Sequence, residues 1–422
     1  MKKKGGNAEE YCFIIDTTNS DPTTAVTYFG NNADYTPARM NFTTGTLDYG
    51  SWENAFFQPR PVMLKYDGTV DYELDHNDFT KKLDGTASDV SNTSYGGNCM
   101  IGFPQIWLKF RTSDTADGTN LSTDATGRYQ YIFIASENVD GEYHCYTHQN
   151  KNGTWLDEIF IMAYEPSNIS NKLRSLAGQT ILQSLSGVTM QTYAKANGNA
   201  WDFMDFGELQ MIQMLCILLF KSLDTQGKIG AGVVYSNNSA STYATTGTTK
   251  DKGMFYAKCN DGTSSNATTP IKVFGIENLW GNRFKWINGF LITSSSSDSK
   301  VKYKLCDYTT DGSTATAYSE AGTGYKTLAN APSSNVRGYI KKLYLNADGL
   351  FPYPDSSYVG GTASTYYCDY QYLYKPTSYT RFAYFGGTYI NEARAGLFFM
   401  LVSDQLSDTN AYIGASLSCK PY

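Results

Sequence analysis

The sequence has 422 residues, with 41% hydrophobic and 18% charged side chains, a formal net charge of −6 and a pI near 5.2. This hydrophobic content excludes an intrinsically disordered chain, and the acidic balance, without any basic stripe, argues against a nucleic-acid partner. Tyr (34) and Gly (38) are abundant, which favours loop-rich β structure with aromatic side chains available for contacts.

The first part of the chain differs in composition from the rest. Residues 1–55 are polar and rich in Thr and Asn, apart from a hydrophobic island at 11–15. They are predicted to form an N-terminal attachment or oligomerisation region, followed by one domain over 56–422. That domain opens with a predicted hairpin, because Asp67-Gly68 separates two alternating runs, PVMLKY and TVDYEL.

Further elements follow in chain order. Apolar or alternating runs predict strands at 106–111, 129–135, 142–148 and 158–164. A short helix at 189–196 is expected to end at Asn197-Gly198. A second helix is expected to begin at Asp205, because Glu208 completes a capping box there, and its wide apolar face predicts packing between other elements. Two helices in a β-rich, loop-heavy chain predict the α+β class.

The compartment is inferred from apolar segments and cysteines. The start, MKKKGGNAEE, has no apolar segment typical of a signal peptide, and the longest apolar run, 214–220, is too short to span a bilayer. We therefore expect synthesis in a cytoplasm without a signal peptide, and no membrane insertion; the resemblance given below implies that this cytoplasm is bacterial. The eight cysteines lack CxxC spacing, which favours reduced thiols.

Two groups of residues contain side chains that could bind a metal ion or catalyse hydrolysis. His144 and His148 would share one face of a strand, but four residues at about 3.3 Å each put them roughly 13 Å apart, too far to share a zinc ion. Asp202, Asp205 and Glu208 could act as the carboxylates of a glycoside hydrolase, but the capping box already accounts for two of them. We expect no catalytic residue, no cofactor and no metal site here.

The C-terminal segment, 385–422, combines two kinds of position. Glycine and apolar residues form a regular frame, as in Gly386-Gly387 and Ile413-Gly414-Ala415. The positions between them share no chemistry, which suits a surface that binds other molecules rather than one that performs a fixed reaction. These positions are Thr388, Ile390, Asn391, Arg394, Ser403, Asp404, Asp408, Asn410 and Tyr412.

Four motifs in order carry a resemblance to a known family. They are IQML at 212–215, GIENLWGNRFKWINGF at 275–290, GGTYINEARAGLFF at 386–399 and YIGASLSC at 412–419. Together they resemble the C-type-lectin fold, in the branch shared by formylglycine-generating enzymes, the variable proteins of diversity-generating retroelements (such as the phage major tropism determinant) and phage tail receptor-binding proteins. The resemblance covers about 61–422 and is dense only in 205–220, 275–290 and 385–422.

The resemblance implies a C-type-lectin-like domain over 56–422 with a variable ligand-binding face at about 380–422. It adds Tyr384, Tyr389 and Phe399 to the candidate ligand-binding residues. The catalytic cysteine pair of formylglycine-generating enzymes and the Trp-Asn-Asp strand of calcium-dependent lectins are both missing from the sequence. Neither of those activities is therefore implied, and a bound calcium ion stays an open question.

The function expected from the resemblance is host recognition. The chain would be a non-enzymatic receptor-binding protein at the tail tip or fibre of a phage virion, binding a host cell-surface protein or glycan without a covalent bond. Its other partners would be tail or baseplate proteins, and a homotrimer is expected by analogy. Two alternatives stay open: a non-viral bacterial ligand-binding or adhesion protein on the same scaffold, and a tail-associated glycan hydrolase.

Overall fold

The computed structural model describes residues 8–150, 152–235, 245–294, 298–305 and 324–421. Within them it is β-rich with three helices, Gly187–Lys195 (α1), Phe206–Phe220 (α2) and Thr225–Lys228 (α3). This confirms the α+β class. The sequence predicts only two helices; α3 is a third, a single turn in which the Asp224 side chain accepts a hydrogen bond from the Gly227 amide. No described helix is both long and apolar enough to cross a membrane.

Short strands make up most of the regular structure in the described residues. The first nine are Glu10–Asp16 (β1), Val26–Phe29 (β2), Arg39–Asn41 (β3), Thr46–Asp48 (β4), Arg60–Lys65 (β5), Val70–Asp75 (β6), Asp78–Lys82 (β7), Gly97–Pro104 (β8) and Trp107–Ser113 (β9). The next nine are Tyr129–Ala135 (β10), Glu158–Met162 (β11), Ser167–Ile169 (β12), Lys172–Arg174 (β13), Trp201–Asp202 (β14), Lys272–Val273 (β15), Ile276–Glu277 (β16), Phe284–Ile292 (β17) and Lys300–Tyr303 (β18). The last nine are Lys326–Asn330 (β19), Val336–Tyr339 (β20), Tyr344–Asn346 (β21), Gly349–Phe351 (β22), Tyr370–Leu373 (β23), Arg381–Gly386 (β24), Gly396–Asp404 (β25), Ile413–Ala415 (β26) and Ser418–Cys419 (β27).

Three sheets organise these strands. The first has the order β2-β1-β10-β9, and the second has the order β14-β27-β11-β8-β5-β6-β7. The third has the order β19-β18-β17-β24-β25-β23-β20, with β26 paired in parallel to β17. The pairs β3-β4, β12-β13, β15-β16 and β21-β22 stand apart from these sheets. The last strand, β27, lies between β14 and β11, so the C-terminus returns to the second sheet.

Helix α2 lies at the centre of the molecule. All of its residues are buried, and its wide apolar face packs against the surrounding elements. Its two glutamines reach remote backbone: Gln210 donates to the Leu350 carbonyl at 3.1 Å and Gln213 to the Leu397 carbonyl at 3.0 Å. The predicted packing of this helix between other elements is therefore confirmed.

Most of the predicted local elements are confirmed. The Asp67-Gly68 hairpin joins β5 and β6, with Gly68 in the left-handed region at φ 83°. The predicted strands at 106–111, 129–135 and 158–164 correspond to β9, β10 and β11, and the helix predicted at 189–196 corresponds to α1. Seven cysteines carry free thiols, and the eighth, Cys306, lies outside the described residues.

The predicted strand at 142–148 is wrong. Only His144 makes a bridge, to Leu108, and Tyr146–His148 form a 3-10 turn. The turn directs Thr147 and His148 into the core, where the His148 ring reaches the Phe103 carbonyl at 3.1 Å. A strand would have sent neighbouring side chains to opposite faces.

The N-terminal segment is part of the folded body. Strand β1 lies between β2 and β10, and Tyr11, Phe13 and Trp52 belong to the main hydrophobic core. The Tyr28 hydroxyl donates to the Leu218 carbonyl of α2 at 2.6 Å. The described part of 1–55 is thus integrated with the rest of the chain, and its role in attachment stays a prediction.

Candidate ligand-binding face

The segments that carry the resemblance meet in the structure. Strand β17 contains the end of the motif at 275–290, and it pairs with β24 and β26, which both belong to the C-terminal part of the chain. The α2 segment joins them through Gln213 and through an ion pair between Lys420 and Asp205. Three stretches that are separate in sequence therefore form one continuous body beneath the C-terminal loops.

The predicted ligand-binding residues fall into two groups by burial. The side chains of Tyr384, Thr388, Tyr389, Phe399 and Ser403 are buried. Of the other seven, Ile390, Arg394, Asn410 and Tyr412 are exposed, and Asn391, Asp404 and Asp408 are half-buried. The structure therefore brings only part of the predicted set to the surface.

The buried residues hold the strands together. The rings of Tyr384 and Phe399 pack edge-on against Phe284, with centroid distances of 4.8 and 5.1 Å. The Tyr384 hydroxyl also lies 2.6 Å from Ser403 Oγ and donates to Asp404 Oδ2 at 2.8 Å. These contacts make Tyr384, Phe399 and Ser403 supports of the face rather than groups displayed on it.

Two loops rise from this support, 387–395 after β24 and 405–412 after β25. Polar side chains shape each of them: Asn391 Oδ1 accepts from the Thr388 amide at 2.7 Å, and Asn410 Oδ1 accepts from the Tyr412 amide at 2.8 Å. Asp408 accepts from both the backbone and the side chain of Gln405. The half-buried polar residues thus fix loop conformation, as short Asn and Asp side chains commonly do in turns.

The loops meet each other and the start of α1. The rings of Tyr389 and Tyr412 lie 5.6 Å apart, and the Val188 amide donates to the Leu406 carbonyl at 3.2 Å. Large apolar side chains are exposed here: Val188 at 53%, Ile390 at 44% and Tyr412 at 40%. We call this surface, formed by 387–395, 405–412 and the first turn of α1, the C-terminal loop face.

A buried charge cluster forms the floor under this face. Glu165 lies 3.3 Å from Lys285, with both side chains almost fully shielded from solvent. Glu165 also accepts hydrogen bonds from Asn278 and Asn282, and the Arg283 guanidinium lies 4.7 Å from the ring of Tyr389. Burial lowers the pKa of Lys285, and Glu165 opposes that effect. Apart from the charged residues themselves, no sequence pattern indicates this cluster.

No family model and no curated protein matches this chain. The assignment of a function therefore depends on the geometry of the described residues and on the motifs of the sequence.

Two of the three carboxylates considered for hydrolysis, Asp205 and Glu208, cap the helix instead, and Asp202 pairs with Lys195 at 3.4 Å. The Asp205 side chain accepts from the Glu208 amide and the Glu208 side chain accepts from the Asp205 amide, both at 2.8 Å, which confirms the capping box. Lys420 pairs with Asp205, and all three side chains are buried. Burial, with Asp205 close by, raises the pKa of Glu208. A substrate would have no access to these groups in this conformation.

The cysteines and the possible metal ligands do not form a site either in the described residues. Cys419 lies on β27 of the second sheet, and Cys368 lies just before β23 of the third sheet. Among the residues that the structure describes, no group of three or more His, Cys, Asp or Glu side chains is arranged to hold a metal ion.

The buried His148 predicts that the stability of the protein depends on pH. Its Nε2 faces the Phe103 carbonyl at 3.1 Å and therefore carries a proton, and its Nδ1 lies 2.8 Å from the Thr147 hydroxyl. Burial lowers the pKa of His148 to about 4. The unfolded chain binds a proton near pH 6.5, so the free energy of unfolding should fall as the pH is lowered from about 6.5 to about 4, by about 3 kcal/mol for this residue.

Denaturant titrations across this pH range would measure the effect. His148→Gln keeps a hydrogen-bond donor but cannot titrate, so its free energy of unfolding should fall less steeply with acid than that of the wild type. Equal slopes for the His148 variant and the wild type would contradict the assignment.

One cavity was missed by the sequence reasoning. It measures about 470 Å³, is lined by Trp107, His144 and Trp155 among others, and shares no residue with the C-terminal loop face. The available signal was Trp155 itself, which follows the polar stretch Asn152-Gly153-Thr154 and stands outside any apolar pattern.

Proposed function

We propose that this chain is a receptor-binding protein that attaches to a host cell-surface protein or glycan through the C-terminal loop face. The main support for the proposal is that residues 380–422 combine buried strand residues with exposed loop residues. Buried rings and glycines hold β24 and β25, while two adjoining loops expose Ile390, Arg394 and Tyr412. Exposed apolar side chains grouped on one surface are typical of interaction sites.

The physical mechanism is non-covalent recognition by side chains on a rigid support. Tyr412 offers a large contact area with few torsions to freeze, and Arg394 adds a charged donor group. Gly387 keeps the first loop close to the strand: its φ is 81°, and a Cβ there would lie 2.7 Å from that of Ala395. Loop residues can therefore change while the frame stays the same.

The finer parts of the proposal rest on the sequence resemblance. They are the C-type-lectin-like classification of the domain, a place at the tail tip or fibre of a phage, contacts with tail or baseplate proteins, and a homotrimer. Three copies would multiply a weak single-site affinity through avidity.

The test replaces exposed side chains of the loop face. The triple variant Ile390→Ser, Arg394→Glu, Tyr412→Ser should lose attachment of the fluorescently labelled protein to a panel of bacterial strains. Its melting temperature should stay within a few degrees of the wild type, because exposed side chains contribute little to stability. Binding is measured by flow cytometry and melting by circular dichroism.

The matched control is Leu83→Ser, an exposed apolar residue after β7 that is remote from the loop face. It should leave attachment unchanged. If the wild type binds a strain and the triple variant binds it equally well, the loop face is not the receptor site.

A further inference from the structure

The cavity around Trp155 has the dimensions of a small-molecule site. It lies where the start of β9 meets the loop before His144, the segment around Trp155 and the turn between β21 and β22. Its volume of about 470 Å³ falls within the roughly 300–1,000 Å³ of typical ligand pockets.

Aromatic rings form one wall of this cavity. Trp107 and Trp155 are stacked, with centroids 5.3 Å apart and planes 24° from parallel, and 45% of Trp155 is exposed. His144 and Tyr146 form a second stack at 4.1 Å. Trp107 Nε1 and His144 Nε2 are shielded from solvent without a protein hydrogen-bond partner. Such arrangements cost stability and call for a reason beyond packing.

Unused hydrogen-bonding groups form the rim. Asn138 Oδ1 accepts from the amides of Gly141 and Tyr143, while within the described residues its Nδ2 has no protein acceptor. Glu142 Oε2 forms an ion pair with Arg111 at 2.8 Å. Because 56% of the Glu142 side chain is exposed, its Oε1 can accept a hydrogen bond from a ligand. With the Thr123 hydroxyl, the rim offers a donor, an acceptor and a group that can do both.

The charges of the cavity are paired. Arg111 is matched by Glu142, and Asp348 lies 3.0 Å from Lys326 and also accepts from the hydroxyls of Tyr146 and Tyr303. Burial also lowers the pKa of His144 to about 4, which keeps this ring neutral at pH 7. An anionic ligand would find no unmatched cation here, so the electrostatics favour a neutral ligand with many hydroxyl groups.

We propose that this cavity binds a neutral saccharide. A pyranose has an apolar C–H face and a hydroxyl edge, and this pair of surfaces matches the aromatic wall and the polar rim. The C–H face would lie against Trp155, because the negative face of an aromatic ring attracts polarised hydrogens. The hydroxyls would reach Asn138, Thr123 and Glu142. The site is distinct from the C-terminal loop face and does not depend on it.

Saturation-transfer-difference NMR on the full chain would test this, with the methyl glycosides of galactose, glucose, mannose and N-acetylglucosamine as probes. At least one of them should bind. Trp155→Ala should weaken its binding at least tenfold, a change of about 1.4 kcal/mol. Trp155→Phe keeps a ring and should lose much less. Glu142→Gln keeps the shape of the rim and should change the preference among the sugars.

The outcomes separate this proposal from its competitors. Binding of N-acetylneuraminic acid alone, or of adenosine alone, would overturn the assignment to a neutral saccharide, and so would the failure of every glycoside in the panel. Saccharide binding that survives Trp155→Ala in a protein of unchanged melting temperature would overturn the location. Tyr412→Ala should leave saccharide binding unchanged, so failure of the receptor-binding proposal would not affect this one.

Discussion

Trp280→Ala is expected to lower the free energy of unfolding by about 3–5 kcal/mol, the usual cost of emptying a large aromatic site in a core. The indole is fully buried, and its Nε1–H donates to the Gly230 carbonyl at 3.0 Å. The variant therefore leaves both a cavity and a buried carbonyl without its partner. Urea denaturation followed by circular dichroism measures the loss.

Trp155→Ala is the matched control, because it removes the same side chain from a site that is nearly half exposed. It should cost less than about 1 kcal/mol. The Trp280 variant should also weaken attachment to bacteria, because Trp280 packs directly against Gly386 at the end of β24, from which the first loop of the face starts. Similar losses of stability for the two variants would contradict the role of Trp280 as the core of the scaffold.

Local signals account for what the sequence predicts well. The hairpin depends on Asp67-Gly68, and the start of α2 depends on a reciprocal bond between Asp205 and Glu208. Both are interactions between residues close in the chain, so their chemistry is visible without tertiary structure. The Gly and Asn residues around Trp280 supply tight turns that let a large ring pack, which predicts a core position for it, and the structure confirms this burial.

Exposure at the candidate site depends on remote packing and could not be predicted in the same way. A strand with one face in solvent displays alternate side chains. Every residue of β24 is buried, as are seven of the nine in β25, because other segments cover both faces of these strands. Tyr384 and Phe399 therefore point into packed rings, whereas Ile390 and Tyr412 reach solvent because they lie in loops.

The structure of the N-terminal segment and of residues 142–148 also depends on contacts with residues that are distant in the sequence. The composition of 1–55 differs from that of the rest of the chain but does not indicate its pairing: β1 pairs with β10, more than a hundred residues away. The run at 142–148 has strand-like residues, but the buried His148 finds its acceptor at Phe103 only through a turn. In both cases a long-range contact decides the structure.

Lys285→Met is expected to cost about 3–5 kcal/mol, because it leaves the Glu165 carboxylate buried with only amide partners. Glu165→Gln leaves Lys285 with the carbonyls of Gly281 and Arg283 and should also be destabilising. The double variant carries no buried charge at these two positions. It should be more stable than the sum of the single losses predicts, with a coupling of about 0.5–3 kcal/mol in urea denaturation.

Lys65→Met is the surface comparison, since Lys65 pairs with Asp71 at 2.8 Å with both side chains substantially exposed. Pairs of that kind contribute about 0–1 kcal/mol. The cluster at Glu165 also supports Tyr389. The Tyr389 amide donates to the Asn282 carbonyl at 3.2 Å, and the Arg283 guanidinium lies over the Tyr389 ring. Lys285→Met and Glu165→Gln should therefore each weaken attachment to bacteria more than Lys65→Met does. The double variant should regain part of the lost attachment. Strict additivity in both measurements would mean that the buried pair does not hold the floor of the loop face.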